Sequence, residues 1–346
     1  MNVARRDKLG VWFPSIRTGT GTDVFTEQLA QNLESAGIRA AIDWLPLRAE
    51  YAPWTVHPPC PPSWANVCHV NTWLHPRFIP RHLPVVATLH HAVHDPALRP
   101  HKGGLRAAYH RFWISPIERR VLKRADRVVA VSQFASEMAR KTLIDVPMQV
   151  IHNGIDTTAF QPGVRTRQPH EPFRLLYVGS WMARKGVDLL APIMRELGEG
   201  FELRYTGGPA ADRDRPSMPP NMHDVGHLQP PQVAYAMQNA DAFLFPSRSE
   251  GFGLVVAEAM ACGLPVITTR CSALPEVVQD GTTGFLCPIN DVHSFAIAAK
   301  RLAEDRELLR TMSGQARRHA VANFSLENMI NAYIDAYSRC LDDTAG

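Results

Sequence analysis

The chain has 346 residues, which at about 150 residues per domain is enough for two substantial cores and excludes a peptide or mini-protein. A hydrophobic share of 45% and a charged share of 20% exclude wholesale disorder. A net charge of +4, from 37 Lys and Arg against 33 Asp and Glu, is too small over this length to mark a nucleic-acid protein.

At the N-terminus, Arg5, Arg6 and Lys8 precede an apolar run, Leu9 to Phe13, that Gly10 interrupts and Pro14 ends, so a signal peptide is not expected. No stretch reaches the roughly 18 apolar residues of a membrane span. The six cysteines form no C-x-x-C pair and no framework spacing, which fits a reducing compartment and a cytoplasmic protein.

Short apolar runs alternate with helical patterns, the signature of parallel sheets with crossover helices. Strands are expected at 8–13, 40–45, 67–70, 84–90, 127–132 and 149–152, and then at 174–179, 202–206, 242–246, 265–269 and 285–288. The helix at 22–36 places Phe25, Leu29 and Leu33 on one face. A Pro-rich loop covers 53–62, and helices at 292–303, 306–322 and 326–341 end the chain with no further sheet to build. The stretch 160–172, with Gln161, Pro162, Gly163, Pro169 and Pro172, is the expected linker. The domains are therefore expected at 1–162 and 163–324, with 325–346 returning to the first.

Two Rossmann-like units invite a test for dinucleotide binding. Gly19, Thr20 and Gly21 supply the first half of G-x-G-x-x-G, but Val24 stands where the third glycine should be. The G-x-x-x-x-G-K-[ST] phosphate loop is absent too. The most specific segment is 245–261, FPSRSEGFGLVVAEAMA: a strand end, a polar turn, Glu250, Gly251, Phe252 and Gly253, then an apolar helix containing Glu258. The free amides of Gly253, Leu254 and Val255 suit a diphosphate. Glu250 can accept from a sugar hydroxyl and Glu258 from a ribose diol, against the plainer reading of one helix-start carboxylate and one solvated one.

The E-x7-E spacing after Pro246-Ser247 resembles the retaining glycosyltransferases of family four. The resemblance runs through Pro14, Gly19 to Gly21 before Leu29-Ala30, Thr88 and His90, Val131-Ser132 and Asn153-Gly154-Ile155-Asp156. It continues through Val178-Gly179, Lys185-Gly186-Val187-Asp188, Gly207-Gly208, Gly263, Pro265, Glu276 and Asp280-Gly281 with Gly284. It implies an α/β GT-B fold: two Rossmann-like parallel-sheet domains facing across a cleft, with the C-terminal helix packing back on the first. It also implies transfer of a hexose, with mannose among the candidates, from a nucleoside-diphosphate sugar to a glycan or lipid-linked glycan.

By the same resemblance Lys185, of the K-G step, binds the donor diphosphate, and Arg184 stands in for the arginine many members carry where this chain has Ser180. His90 occupies the family's T-x-H position near the transferred sugar; His94 and Asp95 are candidates to orient the acceptor. Gly21 matches the second glycine of the family's first loop, with Gly19 and Thr20 beside it. Catalytic roles thus fall to His90, Lys185 and Glu250, and donor binding to Gly21, Arg184, Lys185, 250–255 and Glu258. No metal is expected: three histidines, His90, His91 and His94, lack a fixed further ligand, and Asp212-Arg213-Asp214 lies in a Pro-rich polar loop.

The stretch 101–127 carries eight Lys or Arg against Glu118 and Asp126, with Tyr109, Phe112, Trp113 and Ile117 among them. It reads equally as a helix resting on an anionic leaflet or as a solvated helix with an aromatic core face. Two rival functions share the architecture: a sugar-nucleotide 2-epimerase, which consumes no acceptor, and a two-domain binding protein without turnover.

Overall fold

The computed structural model describes residues 9–91, 94–96, 103–164 and 171–345. The chain divides into two compact units, Met1–Asn153 with Glu327–Gly346, and Gly154–Leu326. Each is built on a six-stranded, all-parallel sheet.

In the first unit the strands are β1 (Gly10–Ile16), β2 (Arg39–Leu45), β3 (Val67–Asn71), β4 (Val85–Leu89), β5 (Arg127–Ala130) and β6 (Gln149–Val150), in the order β2-β1-β3-β4-β5-β6. Every residue of β1, β3 and β4 is buried, as expected for strands covered on both faces. β1 runs past Pro14, where the sequence pattern ended it. The amide and carbonyl of Gly10 both face Asn66 on the β3 side, and Pro14 shares that parity. Pairing with β3 stops after Trp12, so the missing donor of Pro14 costs no ladder bond.

Helix α1 (Gly21–Ser35) buries Phe25, Leu29 and Leu33 on the predicted face. Helix α2 (Gly104–Tyr109) passes through a π-turn at His110–Ile114 into α3 (Ser115–Arg124), and α4 (Gln133–Thr142) follows β5.

The second unit contains β7 (Phe173–Tyr177), β8 (Phe201–Tyr205), β9 (Met222–Asp224), β10 (Ala242–Phe245), β11 (Val266–Thr269) and β12 (Gly284–Cys287), in the order β12-β11-β10-β7-β8-β9. The edge strand β9 has no counterpart in the sequence reading, because three residues are too few for a period to show. The principal helices here are α5 (Val187–Leu197), α6 (Pro230–Gln238), α7 (Leu254–Ala261), α8 (Val292–Glu304) and α9 (Arg306–Phe324).

The boundary lies at Asn153/Gly154, ahead of the expected 162/163. The described part of the proposed linker belongs to the second unit: Phe160 is buried and its carbonyl accepts from Arg317, while Gln238 donates to the carbonyl of Gln161. Low regularity at 160–164 therefore marks a packed loop. Pro169 lies outside the described residues.

The last helix, α10 (Leu326–Ala345), leaves the second unit and joins the first. Its Met329, Ile330, Tyr333, Ile334, Tyr337 and Cys340 are buried at helical spacing. A buried polar network ties it to the sheet. His69 of β3 bonds Tyr337 through Nδ1 at 2.5 Å and Thr88 of β4 through Nε2 at 2.8 Å, and Tyr333 reaches Thr88 at 3.1 Å. Burial lowers the His69 pKa to about 3, so the ring is neutral and acts through its tautomer alone.

Candidate active site

Ligands in open parallel sheets bind beyond the carboxyl ends of the strands. In the second unit the turns after β7 and β10 place Arg184, Lys185 and Glu250 together there. Gly186 makes the first turn possible. Its φ is +72°, and a Cβ would meet the carbonyl oxygen of Pro246 at 2.0 Å.

Lys185 Nζ donates to Glu250 Oε1 at 2.7 Å, and Ser247 Oγ donates to the same oxygen at 2.6 Å. Their side chains are only 15% and 10% exposed, so the pair is largely withdrawn from water. Burial by itself would raise the Glu250 pKa, but Lys185, Arg184 and the two hydrogen bonds overcome it and hold the carboxyl below its ordinary value. Oε2 has no protein partner among the described residues and remains able to accept from a hydroxyl. Arg184 Nη1 donates to the carbonyl of Ser249 at 2.6 Å. Lys185 also lies 5.3 Å from the centroid of the Phe245 ring.

A second tier of contacts fixes these turns. Arg248 donates both guanidinium ends to Asp188 at 2.7 Å and its backbone amide to the carbonyl of Arg184. The amide of Glu250 donates to Ser272 Oγ at 2.9 Å. Thr268 Oγ1 donates to the carbonyl of Phe245, and Thr269 and Cys271 to that of Ser247, so β11 braces the end of β10. None of Arg248, Asp188, Ser272 or Thr269 stood out in the sequence as a site residue.

Gly253, at φ +100°, turns the chain into α7. The first amides of that helix, Leu254 and Val255, have no backbone acceptor. The Phe252 side chain is not free to touch a ligand: it is buried edge-on against Phe324, so that expectation narrows to its backbone. Glu258 is half-buried in α7, and its side chain has no hydrogen-bond or ion-pair partner among the described residues. Burial pushes its pKa up to about 8. A carboxyl left desolvated and unpartnered calls for an explanation that packing does not give.

In the same unit Trp181 donates to Asp214 at 2.7 Å, and Asp212 pairs with Arg215 at 2.6 Å. Asp224, at the end of β9, accepts from the amides of Gly207 and Gly208 and from Arg215, which hold its pKa below normal despite the opposing effect of burial. Asp212 and Asp214 thus face separate partners.

In the first unit the loop after β1 is organised by Asp23, which accepts from Thr18 and Gly19 amides at 2.9 and 2.7 Å and from Thr18 Oγ1. Gly19 has φ +70°. The space where a Gly21 side chain would stand is open. The T-x-x-D run from Thr20 was a legible helix-start signal for Asp23.

His90 follows β4. Its Nε2 donates to Asn71 Oδ1 at 2.9 Å, leaving Nδ1 as the acceptor, and the Phe25 ring lies 4.5 Å away. Burial depresses its pKa to about 3, so this imidazole is neutral across the physiological range. His94 donates through Nε2 to Glu118 at 2.9 Å, and Asp95 is buried.

Of the basic stretch, 101 and 102 lie outside the described residues. Tyr109 and Trp113 donate to Glu50, and Ile117 is core; Phe112 and Leu105 are exposed.

Residues 172–305 match the family model described as glycosyl transferases group 1, and 62–159 match glycosyltransferase family 4. A sucrose-phosphate synthase from Thermosynechococcus elongatus superposes with a TM-score of 0.79 at 20% identity, covering 97% of this chain and all of that one. HepE of Anabaena, solved with UDP and glucose, superposes at 0.69 and 18% identity over 95% of this chain and 99% of its own. The fold is GT-B.

In sequence, the N-acetyl-alpha-D-glucosaminyl L-malate synthase of Bacillus anthracis is 41% identical over 111 residues, 32% of this chain and 29% of its own. A D-inositol 3-phosphate glycosyltransferase of Saccharomonospora viridis is 29% identical over 250 residues, 65% of this chain and 58% of that protein. A Mycobacterium tuberculosis glycogen synthase is 28% identical over 80% of this chain and 69% of its own length. The matched segments thus span between about a third and two thirds of these relatives, and both units of this GT-B chain have glycosyltransferase homologues. Among the described residues no helix is long and apolar enough to cross a membrane.

Proposed function

We propose that the protein is a retaining glycosyltransferase that moves a hexose from a nucleoside-diphosphate sugar, GDP- or UDP-linked, to a hydroxyl of a glycan or lipid-linked glycan without a metal. The observation that carries this reading is the arrangement in the second unit: a largely buried Lys185–Glu250 pair beside a helix start, followed by a desolvated, partnerless Glu258. HepE has been solved with UDP and UDP-glucose, which supports a nucleotide-sugar donor.

On this reading Lys185, Arg184 and the amides of Leu254 and Val255 stabilise the departing diphosphate, the kind of preorganised charge that dominates such reactions. Lys185 keeps Glu250 ionised, and Glu250 Oε2 holds a donor-sugar hydroxyl. Glu258 accepts from the ribose diol. His90, neutral, offers Nδ1 to a hydroxyl of the transferred sugar. Retention follows if the leaving phosphate takes the acceptor proton on the same face, which needs no protein nucleophile.

Thermal unfolding with GDP, UDP or ADP, with and without chelator, tests the reading. Ligand at 100 times its Kd adds about 2.7 kcal/mol, a shift of several degrees in a domain of this size. A shift with one nucleotide, unchanged by chelator and lost in Glu258→Ala, is expected; no shift with any of them would remove the basis for donor binding. Product analysis separates a transferase from a 2-epimerase, which would return an isomer with no acceptor consumed. If the acceptor is lipid-linked, Leu105 and Phe112 with the basic stretch are the contacts to an anionic leaflet, and sedimentation with anionic against neutral vesicles reads that contact.

A further inference from the structure

The first unit contains a cavity of 780 Å3 bounded by the loop at His94 and Asp95, the π-turn, α3 and the end of α4. Its polar lining includes His94, Asp95, His110, Arg111, Ser115 and Arg119. Two features show that the lining is built. His94 is held from behind by Glu118, a carboxylate whose side chain is 2% exposed, which accepts from His94 Nε2 at 2.9 Å and from Thr72 Oγ1 at 3.0 Å. Both Glu118 oxygens accept, so the His94 ring is held in one orientation through its Nε2. Arg119 is anchored through Nε to the carbonyl of Leu143 at 3.0 Å, which leaves its terminal nitrogens unspent by that bond.

The π-turn at His110–Ile114 is the second feature. Such turns recur at functional sites because one extra residue re-aims the side chains on the helix face. Here it falls where Arg111 joins the lining, about two turns before Arg119. Arg111 and Arg119 against Asp95 leave an excess of positive charge in the cavity wall.

We infer that this cavity receives the acceptor, and that the acceptor is a hydroxyl compound carrying a phosphate or carboxylate: Arg111 and Arg119 hold the anion, and the Glu118-oriented His94 hydrogen-bonds a hydroxyl. The inference rests on the transferase reading and specifies its acceptor. Glu118 acts through His94 and is a positioning residue. Two relatives are named for acceptors of this chemistry, L-malate and D-inositol 3-phosphate.

Calorimetric titration of the full chain with D-inositol 3-phosphate, L-malate and uncharged inositol tests it. At least one anionic compound should bind about tenfold or more tightly than inositol, as charge-assisted hydrogen bonds require. Arg119→Gln and Arg111→Gln should abolish that preference and leave nucleoside-diphosphate affinity, read by thermal shift, where it was. Glu118→Gln should lower kcat for transfer more than it raises the acceptor KM, with nucleotide affinity unchanged. Sedimentation of the chain with phosphatidylglycerol but not phosphatidylcholine vesicles, competed by inositol phosphate, assigns the anion to a lipid-borne acceptor; binding of the soluble anion without sedimentation assigns it to a free one. Equal binding of inositol and its phosphate, or an unaltered preference in both arginine variants, overturns the inference. Loss of nucleotide binding in the unmodified chain would instead sink the transferase reading itself.

Discussion

The two candidate sites differ in how they are held. In the second unit the side chains of the candidate site and of the turns that carry it are charged and paired with one another: Lys185 with Glu250, Arg248 with Asp188, Arg215 with Asp224. In the first unit the central groups are neutral: His90 on Asn71, and His69 between Thr88 and Tyr337. The contrast follows from what each must do under the proposed chemistry. A diphosphate arrives with charge that fixed cations must meet, whereas a sugar face and a helix anchor need hydrogen-bond direction without the cost of burying charge.

The contrast breaks most visibly at Lys185. Removing the ammonium leaves Glu250 with burial and without its main compensation, so its pKa should rise, and a partly buried partner deletion of this kind costs up to about 3 kcal/mol. Transfer in Lys185→Ala should fall by about 10²–10³-fold, as for loss of one preorganised donor. Steady-state kinetics check the rate. The double variant Lys185→Ala, Glu250→Gln should recover part of the lost Tm while staying inactive; a double variant less stable than the single one would mean the pair is not coupled.

On the neutral side, His90→Ala should lower kcat by about 10²-fold, within the range for one positioned polar group. Because the wild-type ring titrates near 3, the pH–rate profile between 5 and 8 should carry no limb belonging to it. Installing Asp at Asn71 should create one, since a carboxylate beside Nε2 raises the imidazole pKa toward the neutral range. A profile unchanged in Asn71→Asp would show that His90 is not held by that contact.

The anchoring helix gives a smaller effect. Tyr337→Phe strips His69 Nδ1 of its buried partner at a cost of about 1–3 kcal/mol. The loss should appear in unfolding of the first unit, with nucleotide affinity in the second unchanged, as read by calorimetry with and without nucleotide.

Much of this could be read from residue types in order. Parallel strands announce themselves as short β-rich runs, and Glu250, Gly253 and Glu258 bracket a helix start at a spacing that carries meaning without coordinates. Several motif residues turn out to serve the chain itself: Ser132 caps α4 through the amide of Ala135, and Asp156 closes a turn on Thr158 and Ala159. What stayed hidden depends on partners far off in sequence. Arg248 meets Asp188 across 60 residues and His94 meets Glu118 across 24, and no local period encodes either pairing. Phe252 shows the converse. Its place between two site glycines suggested a ligand contact, but Phe324, brought in by α9, claims the ring for the core.

Glu258 is the exception that sharpens the comparison, an acidic group of the charged site left without a charge partner. Its folded pKa of about 8 lies above the ordinary 4.5, so burial favours the protonated form. The stability associated with that form is complete below pH 4.5 and is lost as pH rises through 8. Glu258→Gln should therefore unfold at a higher temperature than wild type at pH 8.5 and match it near pH 4. A ribose diol donating to the ionised carboxylate reverses the preference and lowers its pKa. Nucleotide binding should then release protons, and affinity should strengthen several-fold between pH 6 and 8, the upper limit being tenfold for each unit by which the pKa falls. Calorimetry in two buffers of different ionisation enthalpy reads the proton count directly. If Glu258→Gln keeps the pH dependence, the released proton comes from another group, and the ribose must be sought elsewhere on the rim of the second sheet.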